Sequence, residues 1–186
     1  MRIGLVCPYD LARPGGVQQQ VLDIGRLLAA AGEEVTIIGP GAEAVPDSSC
    51  RVVEVGRVLP VRANGSVVPL AVGFKITRLI REIAADLDVL HVHEPLIPVV
   101  GPAALGAGRP VVATFHALPP AWMAMAYRAG PPRLLRRRWF KHAVLTAVSA
   151  EAARGPRSLG PVAIISNGVD VASYDRPIPK VLMRPG

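Results

Sequence analysis

At 186 residues and 19.6 kDa, the chain has the size of one large α/β domain, which leaves little room for two at roughly 100–200 residues each. With 51% hydrophobic and only 19% charged residues it has the reverse of a disordered composition, and a chain of this length hides roughly 70% of its unfolded surface, so neither a disulfide nor a metal staple is needed. The net charge of +7 is uneven: residues 109–157 hold nine Lys and Arg against one acid, Glu151, while residues 1–93 hold nine against ten, which points to an anionic partner for the second half.

Short Val- and Ile-rich runs alternate with helical patterns, the mark of βαβ units with a parallel sheet. The runs read as strands are Arg2–Cys7, Glu34–Gly39, Arg51–Val55, Val89–Val92, Pro110–Phe115, Val144–Ala147 and Val162–Ile165. Seven strands imply a Rossmann-like, doubly wound, mostly parallel sheet. Between the first two, Val17, Val21, Ile24, Leu27 and Leu28 recur at helical spacing and Gly32 stands at the C-terminal cap position. Further helices are expected over Phe74–Ala85, over Leu96–Leu105 (interrupted by Pro98 and Pro102), over Met123–Tyr127 and Leu134–His142, and weakly over Ala150–Arg157. The tail from Ser173, with Pro177, Pro179 and Pro185, reads as a linker or an end.

No stretch reaches the roughly 18 apolar residues of a membrane span, and Ile3–Cys7 is too short for a secretion signal. Cys7 and Cys50 form no ligand spacing, so the expectation is a soluble or peripheral protein of the reducing cytoplasm.

Pro14-Gly15-Gly16-Val17-Gln18 follows the first strand's loop and opens the first helix. Paired glycines allow close backbone approach, and a helix N-terminus offers free N–H groups with about half a positive charge. Phosphate binding and a plain Gly-rich turn both fit; neither a dinucleotide fingerprint nor a P-loop is present. His116 ends a buried strand in Thr114-Phe115-His116, where open α/β sheets bind ligands. It can be an acid, a base or a hydrogen-bonding group for substrate, or a loop histidine bonded to a carbonyl.

His91 and His93 alternate onto one strand face beside Glu94, but a zinc site normally takes three protein ligands, so crevice lining by His93 and Glu94 is the better reading. Asn64-Gly65-Ser66 is either a tight turn or a polyol contact. On a helix, Arg133, Arg136, Arg137 and Lys141 share a basic face opposite Leu135 and Trp139. Anionic lipid fits this face, as does mere solvation; nucleic acid is disfavoured because no recognition motif or aromatic platform accompanies it.

These motifs, with Met1-Arg2-Ile3-Gly4, Cys7-Pro8-Tyr9, Asp88-Val89-Leu90-His91-Val92-His93-Glu94-Pro95, Ala147-Val148-Ser149 and Asn167-Gly168-Val169-Asp170, occur in the order found in family-4 retaining glycosyltransferases of the GT-B fold. Within that family the chain most resembles the actinobacterial phosphatidylinositol mannosyltransferases. The resemblance implies that residues 1–174 form the N-terminal, acceptor-binding domain and 175–186 a linker or tail. It implies that Gly15 and Gly16 border the donor's diphosphate, that His116 sits beside the transferred sugar as the catalytic-site residue, and that Tyr9, Gln18, Asn64 and Ser66 contact an inositol-type lipid acceptor. Lys75, Arg78 and Arg81 on Phe74–Ala85 correspond to the family's membrane-binding helix.

The donor implied is a nucleotide sugar, GDP-mannose, and no metal or cofactor is implied. Pro69, Ala117, Leu118 and Ala121 stand where those enzymes carry an arginine, a Thr-Ser pair and a lysine, so two cations are lost on the acceptor side. The family's donor-binding second domain has no counterpart in this sequence; a separate C-terminal domain would have to supply it, and the chain alone should be nearly inactive. The rival expectation is a non-catalytic module that binds a polyol lipid or an anionic membrane. An NAD-dependent oxidoreductase is disfavoured by the missing fingerprint.

Overall fold

The computed structural model describes residues 1–45, 49–63, 66–72, 75–118 and 139–169. Seven strands, β1 (Arg2–Val6), β2 (Glu34–Gly39), β3 (Arg51–Glu54), β6 (Val89–His93), β7 (Val111–Phe115), β8 (Ala143–Ala147) and β9 (Val162–Ile164), form one sheet in the order β3-β2-β1-β6-β7-β8-β9. Every pairing in it is parallel. The seven-stranded, doubly wound expectation therefore holds. The central strands are short apolar runs because such a sheet is covered on both faces: Leu5, Val6, Ile37, Ile38, Leu90, Val92 and Ala113 are almost wholly buried.

Helix α1 (Gly16–Ala30) covers one face, where Val21 joins Ile3, Leu5, Ile37 and Cys50 in the core. Its C-terminus closes as the sequence anticipates. Gly32 takes φ 87° and Glu33 N–H donates to the Leu28 carbonyl at 3.0 Å, a left-handed cap that a side chain would strain. Helices α2 (Ile76–Ala84) and α3 (Val100–Leu105) cover the other face, burying Ile76, Ile80, Ala84, Val100 and Ala104 against Val6, Leu90 and Val92.

Three expectations need correction. Residues 96–99 are not helical. A residue preceding a proline avoids the helical region, and here Pro98 is followed by Val99 at φ 75°, so α3 starts only at Val100. Pro102 is tolerated because the third residue of a helix has no intrahelical acceptor for its nitrogen. The stretch 150–157 yields two single 3₁₀ turns, Ala152–Arg154 and Pro156–Ser158, since Gly155 and Pro156 interrupt the helical ladder.

The third correction is a hairpin that the strand count omitted, β4 (Arg57–Ala63) with β5 (Ser66–Val72), joined by two residues. Its register sets Pro60 opposite Pro69. Facing residues of an antiparallel pair alternate between hydrogen-bonded and non-bonded sites. Counting back from the Ala63–Ser66 pair beside the turn, Pro60 and Pro69 fall on a non-bonded site, where neither needs a donor.

The helix expected at Met123–Tyr127 lies outside the described residues, as do most of Leu134–His142, where Trp139 and Phe140 are helical and Phe140 is buried, and the domain boundary near 174. Among the described residues no helix is long and apolar enough to cross a membrane.

Candidate functional site

The strand order reverses between β1 and β6, and such a switch point opens a crevice at the carboxyl ends of the strands. Three segments meet there: the loop from β1 to α1, Glu94 after β6, and His116 after β7. The chain also leaves β3 at this edge of the sheet to form the hairpin that carries Ser66.

The β1–α1 loop holds its shape through its own side chains. Gln18 is buried, and its Nε2 donates to the Asp10 carbonyl at 3.3 Å. A Cβ on Gly15 would lie 2.4 Å from Gln18 Oε1, whereas one on Gly16 would meet nothing within 4 Å. Gly15 thus makes room for the glutamine, and Gly16 borders open space. The α1 N-terminus has no side-chain cap and no acid in its first turn, so its free N–H groups and partial positive charge are available to an anion. Tyr9 is half-buried and packs against both core clusters. Burial, and secondarily the charge of Glu94, raise its phenol above the ordinary range, so it acts as a neutral hydroxyl. Burial likewise pushes the Cys7 thiol up to about 12, which removes it as a nucleophile.

His116 is the half-buried end of a column of imidazoles. His91 and His93 face each other with ring centroids 4.2 Å apart, and His93 and His116 stack at 5.1 Å. His93 Nδ1 and His116 Nε2 share a hydrogen bond of 2.8 Å. His91 Nε2 lies 2.7 Å from Thr114 Oγ1, which is 2.6 Å from Thr146 Oγ1. The network thus runs across β6, β7 and β8. Burial lowers all three imidazoles. His116 falls to about 4 and His91, also repelled by His116, to about 4, while His93, wholly enclosed and beside two other rings, goes well below the usual range. At neutral pH the column carries no charge, and His116 offers a hydrogen bond rather than a cation.

Glu94 holds this end of the sheet together, a role its sequence position did not disclose. Its Oε1 accepts from the backbone N–H groups of His116 and Ala117 at 2.8 and 2.9 Å, fixing the turn that aims the imidazole. Its own φ of 47° is unusual for a residue with a side chain, and such strain persists only where the surroundings over-determine it. Burial raises its carboxyl to about 7, against the opposing pull of the two N–H groups. An acid between a buried strand and Pro95 was the available signal.

Of the remaining sequence candidates, Lys75 is exposed at the N-cap of α2 and Arg78 and Arg81 are exposed on the helix, and Arg78 is bound to Glu82 at 2.7 Å. The apolar stripe of α2 is spent on the core, so this helix presents cations to a surface without an inserting face. Lys141 is exposed. Arg133, Arg136, Arg137 and Asn64 lie outside the described residues, and Ser66 is placed by its backbone alone.

A family model described as Glycosyltransferase Family 4 matches residues 14–173. A phosphatidyl-myo-inositol mannosyltransferase of Mycolicibacterium smegmatis is 41% identical over 186 residues, covering 96% of this chain and 47% of that protein. One of Propionibacterium freudenreichii is 38% identical, covering 94% and 48%. The chain spans about half the length of these relatives. Among solved structures, an alpha-glucosyltransferase in complex with UDP and a 13-mer DNA superposes with a TM-score of 0.57 at 14% identity, over 93% of this chain and 44% of that one. Sucrose-phosphate synthase from Thermosynechococcus elongatus gives 0.54 at 13% identity, over 92% and 49%. These two likenesses bear on the fold alone.

Proposed function

The chain belongs to glycosyltransferase family 4, and on that premise we propose that it is the acceptor-binding half of a mannosyltransferase acting on phosphatidylinositol, with GDP-mannose as donor and retention at the transferred carbon. One observation carries the reading: an uncapped helix N-terminus bordered by the open Gly16 and a neutral histidine, His116, belong to the same switch-point crevice. Relatives named phosphatidyl-myo-inositol mannosyltransferase match over nearly the whole chain.

In this reading the N–H groups at Gly15 and Gly16 border the diphosphate of the donor. His116, held by Glu94 and His93, contacts the transferred sugar, and being uncharged it positions the sugar without neutralising the leaving group. Stabilising the departing diphosphate is an electrostatic task, and it falls to a donor-binding domain beyond residues 1–174. The chain alone is therefore nearly inactive. Tyr9, Gln18, Asn64 and Ser66 receive the inositol ring. Lys75, Arg78 and Arg81, with Arg133, Arg136, Arg137 and Lys141, draw the protein to the inner face of an anionic plasma membrane, at about 1 kcal/mol per basic residue near the surface.

The test is to fuse this chain in place of the equivalent half of the Mycolicibacterium smegmatis relative and follow labelled mannose from GDP-mannose into lipid. The fusion should mannosylate phosphatidylinositol and the isolated chain should not. Robust transfer by the isolated chain would refute the inactivity. A fusion that binds donor and vesicles yet leaves phosphatidylinositol untouched would refute the acceptor.

The outward cations of α2, not involved in the core, also favour a second reading, a membrane- or polyol-lipid-binding module without catalysis. Salt-sensitive vesicle binding by a fusion that never transfers sugar would support it.

A further inference from the structure

The ring-to-ring contact between His93 and His116 constrains where His116 keeps its proton. A neutral imidazole has one N–H and one bare nitrogen, and the two groups 2.8 Å apart, His93 Nδ1 and His116 Nε2, must be one of each. If His116 donated, His93 would carry its own proton on Nε2. That atom is wholly buried and has no hydrogen-bond partner among the described residues. A buried N–H without an acceptor is the arrangement proteins most avoid, more than an unfilled lone pair. The opposite sense places the His93 proton in the shared bond and leaves only a lone pair on its Nε2.

We infer that His93 is a positioning residue that donates from Nδ1 to His116 Nε2 and so locks His116 as the Nδ1–H tautomer, giving the half-buried ring one N–H donor for a ligand. The ligand chemistry follows. The ring presents a donor without a positive charge, which fits an oxygen acceptor on a neutral hexose, a hydroxyl or ring oxygen, better than a phosphate. This use of the donor rests on the reading of His116 as the sugar-facing residue, whereas the tautomer does not. Glu94 fixes the backbone of the same turn through the His116 and Ala117 N–H groups, so the two neighbours have separate tasks: one sets the place of the ring, the other its proton.

The experiment is nitrogen NMR of the whole chain with ¹⁵N-labelled histidine rings at neutral pH. Only four histidines contribute, and single substitutions assign them. His93 and His116 should both read as Nδ1–H with bare Nε2, the favoured form of His116 exceeding the other by about tenfold or more. His93→Asn places a side-chain amide where Nδ1 stood and, with its NH₂ toward His116 Nε2, should keep His116 as Nδ1–H. His93→Phe removes the donor, and His116 should shift to Nε2–H or to a mixture. An Nε2–H signal for His116 in the unsubstituted chain overturns the inference, as does a folded His93→Phe variant that leaves His116 unchanged. Should the phenylalanine variant not fold, the unsubstituted chain decides the matter. No sugar donor or lipid enters these spectra, so failure of mannosyl transfer would refute the proposed function and leave this result standing.

Discussion

Replacing Gly16 with alanine separates the stability of the fold from the use of its crevice. Gly16 is the first residue of α1, its φ lies outside the left-handed range, and a Cβ there meets no atom within 4 Å. Alanine therefore adds no clash, and by narrowing the unfolded ensemble it should stabilise the chain by about 0.4–1 kcal/mol. For a domain of this size that is a rise in Tm of about 1–4 °C. The same methyl group occupies the space through which an anion would approach the N–H groups of the first turn. Loss of one hydrogen bond to a charged group costs about 1.5–3 kcal/mol, roughly 10- to 100-fold in donor affinity. Thermal unfolding of the chain and GDP-mannose binding by the fusion provide the two readouts. A stabilised variant with unchanged donor affinity would refute the placement of the diphosphate, and a destabilised one would refute the claim that Gly16 borders open space.

Glu94→Ala leaves two backbone N–H groups without their acceptor and should cost about 2–3 kcal/mol in urea unfolding, with altered His116 ring signals. Glu94→Gln keeps an acceptor oxygen and should lose far less; equal losses would contradict the clamp. Stability should also fall on acidification. His91 and His116, both lowered to about 4, and His93, lowered further, contribute stability that is present above pH 6.5 and lost as pH falls toward and through 4. For the partly buried His91 alone this amounts to roughly 3 kcal/mol. Glu94, raised to about 7, has the opposite sign, its contribution being lost as pH rises from 4.5 through 7, and it offsets only one of the three. Urea midpoints at pH 7.5 and 4.5 check the balance, and an unchanged or higher midpoint at pH 4.5 would contradict it. Introducing the two cations that the resemblance implies for the acceptor side, with Pro69→Arg and Ala121→Lys, should tighten binding to anionic vesicles by about fivefold for each, at about 1 kcal/mol apiece. No gain would mean that neither position faces the lipid phosphate.

The sheet was legible because parallel strands covered on both faces must be short, continuous apolar runs, and Arg2–Val6, Glu34–Gly39 and Val111–Phe115 could hardly be anything else. The hairpin was not. Asn64-Gly65 between Val-rich runs is a strong turn signal, but Pro60 and Pro69 argue against strands until the register shows that they oppose each other where no donor is needed. Position alone singled out His116, since the end of a buried strand in such a sheet is where ligands bind. What holds it, Glu94 and His93, depends on which strands are neighbours. β6 and β7 pair so that His93 lies beside Thr114, a fact of topology that local sequence does not carry. Gln18, singled out as an acceptor contact, proves also to brace its own loop, because the space at Gly15 admits its amide.

The central claim, that this chain carries an inositol-recognising crevice, is tested most directly by co-sedimentation of the chain alone with vesicles containing either phosphatidylinositol or the same fraction of phosphatidylglycerol, at one ionic strength. The two headgroups carry equal charge, so the basic surface cannot tell them apart. Recognition of the ring by one or two additional hydrogen bonds predicts about tenfold tighter binding to phosphatidylinositol, whereas equal binding to both would contradict the account.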